Sequence, residues 1–345
     1  MQKNVATLAI VSLLALACSS SQKFYPGASQ ASTDVGVAGN GGASVASGGS
    51  AVTGGRSGTG GATSSSGGAA GSGDGTGGKA ILLLNGDFEQ GSGDLPAVWQ
   101  TGAWDTTRAA FHWVTGAGRN GSHAGVIESS TTNDAFFMQK GIGNPFRVYK
   151  LGGYIKGEGL SDGAGATIGL PGWGPSVGGT GTFDWTLFQM PVATIADGSF
   201  EVWVRIGGYS NTTSGKAFFD DLTLVEDNSY VSWVGKHVAF MLLAADTAGI
   251  SDAHFSSWLN HLDSVYETYA ELVGAVPSNG DAMGVFALSG ISAWAYAGFP
   301  IQWNRDYVSD TLKSINDNDD WCFGIMHEMG HNLLTGTSHR DHFQS

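Results

Sequence analysis

Cysteine is almost missing from this chain: Cys18 and Cys322 are the only two among 345 residues. Cys18 closes an N-terminal apolar segment; if that cysteine is consumed by processing there, Cys322 has no partner and no disulfide framework staples the fold. Packing, helped by any bound metal, must supply the stability. Charge is scarce too. Charged residues are 13% of the chain, and 16 Lys and Arg stand against 30 Asp and Glu, for a net charge of -14. A protein that tracks a phosphate backbone needs clustered cations, so nucleic acid is a poor candidate partner. Long hydrophobic runs are also lacking. "VATLAIVSLLALAC", from Val5 to Cys18, is too short to span a bilayer comfortably.

That run follows Met1-Gln2-Lys3, and a positive charge ahead of a short apolar stretch has the shape of an export signal over residues 1–18. Its end, Ala15-Leu16-Ala17-Cys18, resembles the lipobox of bacterial lipoproteins. The resemblance implies a lipidated Cys18 that anchors the chain to a bacterial outer membrane or cell surface. Plain cleavage near Ala17 would instead leave the protein secreted. Residues 19–79 are mostly Gly, Ser, Ala and Thr, with little to bury, which predicts a flexible tether.

Residues 80–228 read as short strands. "FEVWVRI" places Val202, Val204 and Ile206 on one face and Glu201, Trp203 and Arg205 on the other. "RVYKLGGYIKG" and "FDWTLFQMPV" behave similarly, with Gly, Asn and Pro clusters between them. The pattern predicts an all-β antiparallel sandwich or jelly roll. From residue 229 to 345 the character is α+β. "HVAFMLLA" reads as a buried strand, and a helix opens near Asp252, capped by Ser251 or Asp252. Its apolar positions run from Phe255 through Trp258, Leu259, Leu262 and Tyr266 to Leu272 and Val273, before Gly274 ends it.

The stretch "WCFGIMHEMGHNLLTG" carries the chemistry. Four residues apart on a helix, His327 and His331 share a face and can offer imidazole nitrogens to one Zn²⁺. Glu328, rotated off that axis, reaches a water beside the metal without ligating it, which is where a general base belongs. Trp321, Ile325, Met329 and Leu333 form an apolar stripe beside the pair. Two histidines do not complete a catalytic zinc site. His339, Asp341 and His342 read as a polar loop, and the third ligand is expected as a glutamate on a helix beyond Ser345. The zinc domain is therefore expected to be truncated in this sequence. Cys322, about 140° around the helix from His327, is expected to be a buried, inert thiol.

Three segments of this region, "WLNHLDSVYETYAELVGAVP", "ISAWAYAGFPIQW" and "WCFGIMHEMGHN", resemble the enhancin-like, mucin-targeting zinc metallopeptidases of gluzincin type. The resemblance implies a zincin-like fold with His327 and His331 as zinc ligands and Glu328 as catalytic base. Ala297 stands before Gly298 where the family commonly has histidine. Upstream, "LNGDFEQGSGDLPAVW", "YKLGGYIKGEG" and "AFFDDLTLVE" resemble galactose-binding-like jelly-roll carbohydrate-binding modules. That resemblance points to a structural Ca²⁺ held by Asp87, Glu89, Asp220 and Asp221. Sugar faces stack on aromatic rings, and Trp173, in "LPGWGPSVGG", is the expected platform among Trp99, Trp104, Trp113, Trp185 and Trp203. The expectation is an exported zinc endopeptidase acting on glycoprotein or polysaccharide-bearing substrate, targeted by a carbohydrate-binding module. The alternative is a non-catalytic glycan-binding surface lipoprotein. Membrane contact is expected only through the lipid anchor.

Overall fold

Alternation of apolar and polar residues organises the first half of the computed structural model, which describes residues 83–171, 175–274 and 282–334. A small hairpin, β1 (Gly91–Ser92) and β2 (Leu95–Pro96), precedes β3 (Gln100–Ala103), β4 (Ala109–Thr115), β5 (His123–Asn133) and β6 (Ala135–Ile142). They are followed by β7 (Val148–Leu160), β8 (Ala166–Gly169), β9 (Ser176–Gly179), β10 (Gly181–Ala193), β11 (Ser199–Ile206) and β12 (Thr213–Glu226). Two five-stranded antiparallel sheets result, in the orders β10-β7-β12-β5-β4 and β3-β6-β11-β8-β9. The inward residues of both sheets, such as Ile127, Phe137, Leu151, Ile155, Val204 and Phe219, fill one core. Each such side chain contributes roughly 1.5–3 kcal/mol by leaving water. The jelly-roll expectation therefore holds as a β-sandwich.

The second part is built on β13 (Tyr230–Val234), β14 (Val238–Leu243), β15 (Met283–Leu288), β16 (Ala295–Tyr296) and β17 (Ile301–Asn304). Their order is β13-β14-β15-β17-β16, with β14, β15 and β17 parallel. A parallel centre is covered on both faces, which explains the unbroken apolar run of β14. Helix α1 (Asp252–Val273) packs on one face; the Ser251 hydroxyl accepts from His254 N–H at its start, and Gly274 closes it at φ 70. Phe255, Trp258, Leu259, Leu262 and Tyr266 are buried, whereas the last two apolar positions, Leu272 and Val273, are 47% and 37% exposed. Helices α2 (Val308–Asn318) and α3 (Phe323–Leu334) complete this part. On the other side of the sheet, Ala239, Met241, Phe286 and Leu288 pack with Phe146, Val148 and Ala193 of the sandwich.

Two details correct the sequence reading. Helix α3 begins at Phe323, so Trp321 precedes it and is 51% exposed, while Ile325, Met329 and Leu333 alone form the buried stripe. Cys322 also precedes the helix, at φ 54, so its direction is set by the turn and not by helical phase. The Asn/Asp run before it is the reason: Asp319 sits at φ 53, and the Asp320 carboxylate accepts from Cys322 N–H at 2.9 Å. Among the described residues, no helix is long and apolar enough to cross a membrane. Cys18, the tether 19–79, Trp173, His339, Asp341 and His342 lie outside the described residues.

Candidate functional site

Burial of Ile325, Met329 and Leu333 seats α3 on the α+β core and fixes which face it turns outward. Trp258 Nε1 donates to the Trp321 carbonyl at 3.1 Å and holds the chain entering the helix. Tyr269 Oη donates to the Met326 carbonyl at 3.5 Å, and Asn332 Nδ2 donates to the Gly298 carbonyl at 2.8 Å. These contacts anchor the helix from α1 and from the segment after β16.

On the presented face, the Nε2 atoms of His327 and His331 lie 3.0 Å apart, with the rings nearly perpendicular at 87°. Two ligands at ~2.0–2.1 Å from a tetrahedral zinc sit roughly 3.3 Å from each other, so this donor pair fits one ion with a small outward adjustment. Glu328 is half-buried. Loss of water pushes its carboxyl above the ordinary range, opposed by the neighbouring His327 and by a hydrogen bond from Ala297 N–H. Among the described residues no group of three or more His, Cys, Asp or Glu side chains is placed to hold a metal ion together, so only the two imidazoles of His327 and His331 converge there.

Cys322 is 5% exposed, and burial pushes its thiol up to about 11. It therefore stays protonated and weakly nucleophilic near neutral pH. Iodoacetamide at about pH 8 is expected to spare Cys322 in the native protein and to modify it after denaturation, as read by peptide mapping. Rapid native labelling would contradict the buried setting.

The acidic residues expected to hold calcium are engaged with protein donors. Asp220, 1% exposed, accepts from Arg119 N–H at 2.8 Å, Ser122 Oγ at 2.9 Å and Asp221 N–H at 2.7 Å. Burial raises its proton affinity against those bonds. Asp221 pairs with the Arg119 guanidinium, which lies 3.5 Å over the Tyr154 ring. Glu89 accepts from His123 N–H at 2.8 Å and meets His123 Nδ1 at 3.0 Å, bonds that hold its carboxyl below the ordinary range. Asp87 accepts from Glu89 N–H at 3.4 Å and so shapes the opening turn.

The tryptophans divide by setting. Trp99 is core, stacked on Phe88; Trp113 stacks on His123 and Trp185 meets Phe218 edge-on. Trp203 is half-buried and stacked on Phe136, and Trp104 is 72% exposed. The alternation of "FEVWVRI" marks Trp203 and Arg205 as facing away from the core. Phe136 and Thr167, the cross-strand partners of Arg205, and the Asp134 carboxylate 3.9 Å from its guanidinium are not legible in the sequence, because they follow from register.

No family model matches the sequence, and no curated protein matches it. Several solved structures align with part of it. The enzymatically active domain of tailspike protein 4 from bacteriophage CBA120 is 15% identical, over 43% of this chain and 21% of that one, at TM-score 0.30. TmCBM61, solved in complex with β-1,4-galactotriose, is 17% identical, over 43% of this chain and 99% of that one, at TM-score 0.30. A family 11 carbohydrate-binding module from Clostridium thermocellum, in complex with a β-1,3-1,4-mixed-linked tetrasaccharide, is 15% identical over 42% and 95%, at TM-score 0.30. Likenesses at this level carry no argument, and the sandwich stands on its own topology.

Proposed function

We propose that this chain is an exported zinc-dependent endopeptidase, anchored through a lipidated Cys18, whose sandwich holds it on glycosylated, mucin-like protein. The observation that carries the peptidase reading is the pair of Nε2 atoms 3.0 Å apart with Glu328 between them in sequence. His327 and His331 would hold the ion, and zinc bound there supplies Lewis acidity toward a peptide carbonyl. Glu328 is the proton carrier. Its carboxylate would take a proton from the attacking water as the C–O bond forms. The same carboxyl then gives that proton to the amine nitrogen as the C–N bond breaks.

A second reading, a glycan-binding surface protein without catalysis, draws support from the two-imidazole donor set among the described residues. Metal content separates the two. Plasma mass spectrometry of the full-length protein is expected to find one zinc per chain, removed by chelator and absent in His327→Ala and His331→Ala. Zinc at background level in the folded wild type would overturn the peptidase reading.

A further inference from the structure

We propose that the outer face of the β3-β6-β11-β8-β9 sheet binds a neutral oligosaccharide, with Asp134 and Arg205 as its polar centre and Trp203 and Trp104 as its apolar surfaces. This rests on the reading of the sandwich as a glycan-holding module and assigns that module a location and a ligand charge.

Directly paired residues in a sheet point to the same side. Phe136 pairs with Arg205, and Arg205 pairs with Thr167, which sets one row across three strands. Trp203 stands in the next row, opposite Met138. Trp104 N–H donates to the Asp134 carbonyl at 2.8 Å, one step past the Ala103–Ala135 pair, so Trp104 and Asp134 form a third row. The intervening residues Ala135, Phe137, Val204 and Ile206 point into the core. The polar row therefore faces outward.

Three polar side chains on this outward face are nonetheless deeply covered: Asp134 is 9% exposed, Arg205 5% and Thr167 4%. The Asp134 Oδ2 to Arg205 Nη1 distance is 3.9 Å, well beyond the ~2.7–2.9 Å of a charge-assisted hydrogen bond. Asp134 Oδ1 and Thr167 Oγ1 are buried with no hydrogen-bond partner. Unpaired buried oxygens are costly, and a ligand hydroxyl that donates to one of them removes that cost, with the nearby guanidinium as a donor to the same hydroxyl. Sugars carry such hydroxyls beside C–H faces that stack on aromatic rings.

The rings are in place. Phe136 and Trp203 stack at 3.7 Å with an interplanar angle of 22°, and Trp104 is largely exposed to solvent. Gly102 keeps this floor low: a Cβ there would lie 2.5 Å from Phe136 Cζ. The charges of the face cancel in pairs, Asp134 with Arg205 and Glu201 with Lys140. A uronate or sialate would gain no net attraction, which is why the ligand is neutral.

The test uses the full-length protein on an array of neutral and acidic oligosaccharides, followed by calorimetric titration with the best-bound sugar. Wild type is expected to bind neutral sugars, and Trp203→Ala and Asp134→Asn to weaken them by about tenfold or more. Trp104→Ala, a change at an exposed residue that keeps the fold, is expected to weaken binding several-fold. Wild-type binding that survives all three changes, in variants whose near-ultraviolet dichroism is native, overturns this site and leaves the glycan-holding reading intact. Preference for acidic sugars overturns the charge assignment. Silence across the whole array overturns the glycan-holding reading together with the site.

Discussion

Asp263→Ala is expected to destabilise the α+β part by about 2–4 kcal/mol, as one buried and two partly buried N–H donors lose their acceptor. Asp263 is 8% exposed on α1, and its carboxylate accepts from the N–H groups of Lys236, His237 and Val238 at 2.8, 2.8 and 3.0 Å. Those donors lead into β14, so one side chain clamps the helix to the start of that strand. Gly235 makes the approach possible, since a Cβ there would lie 2.6 Å from Asp263 Oδ2. Thermal melting should show the loss as a fall in Tm on the order of 10 °C. Asp263→Asn keeps one carbonyl oxygen and should lose a smaller share. A melting point for the alanine variant within about 1 °C of wild type would show that water replaces the carboxylate at no cost.

The clamp also separates what sequence makes legible from what it hides. Its local half is legible: Ser251 capping, Gly274 closing and the helical spacing of Phe255 to Tyr266 are properties of neighbours in sequence. Its distant half is not, because an aspartate bonding backbone groups 25 to 27 residues earlier leaves no periodic trace. The sandwich divides the same way. Alternation along β11 separates Val202, Val204 and Ile206 from Trp203 and Arg205, but only register sets Asp134 and Thr167 beside that arginine. Helix α2 is absent from the sequence expectation even though Val308, Leu312 and Ile315 recur at helical spacing and are all buried. In the opposite direction, periodicity carries Trp321 into a helix that the Asp319 and Cys322 turn conformations start later. The histidine pair is the most legible feature, since one helical turn both spaces the residues and sets their common face.

On the proposed zinc-peptidase reading, Glu328→Gln is expected to lower peptide hydrolysis by about 10²–10⁴-fold while zinc content stays at the wild-type level. Glutamine keeps the size of the side chain and an oxygen to accept from Ala297 N–H, so the contact between α3 and the segment after β16 survives. What it lacks is a group that can take and return a proton. The loss should therefore fall on kcat, with KM little changed, because substrate placement does not depend on the exchanged proton. The metal readout matters equally. The helix places His327 and His331 one turn apart on a common face, and their Nε2 atoms meet each other at 3.0 Å. A glutamine variant that binds zinc but does not cleave assigns the carboxyl to proton transfer. One that cleaves at the wild-type rate removes Glu328 from the chemistry, and one that loses zinc places it among the groups that hold the ion.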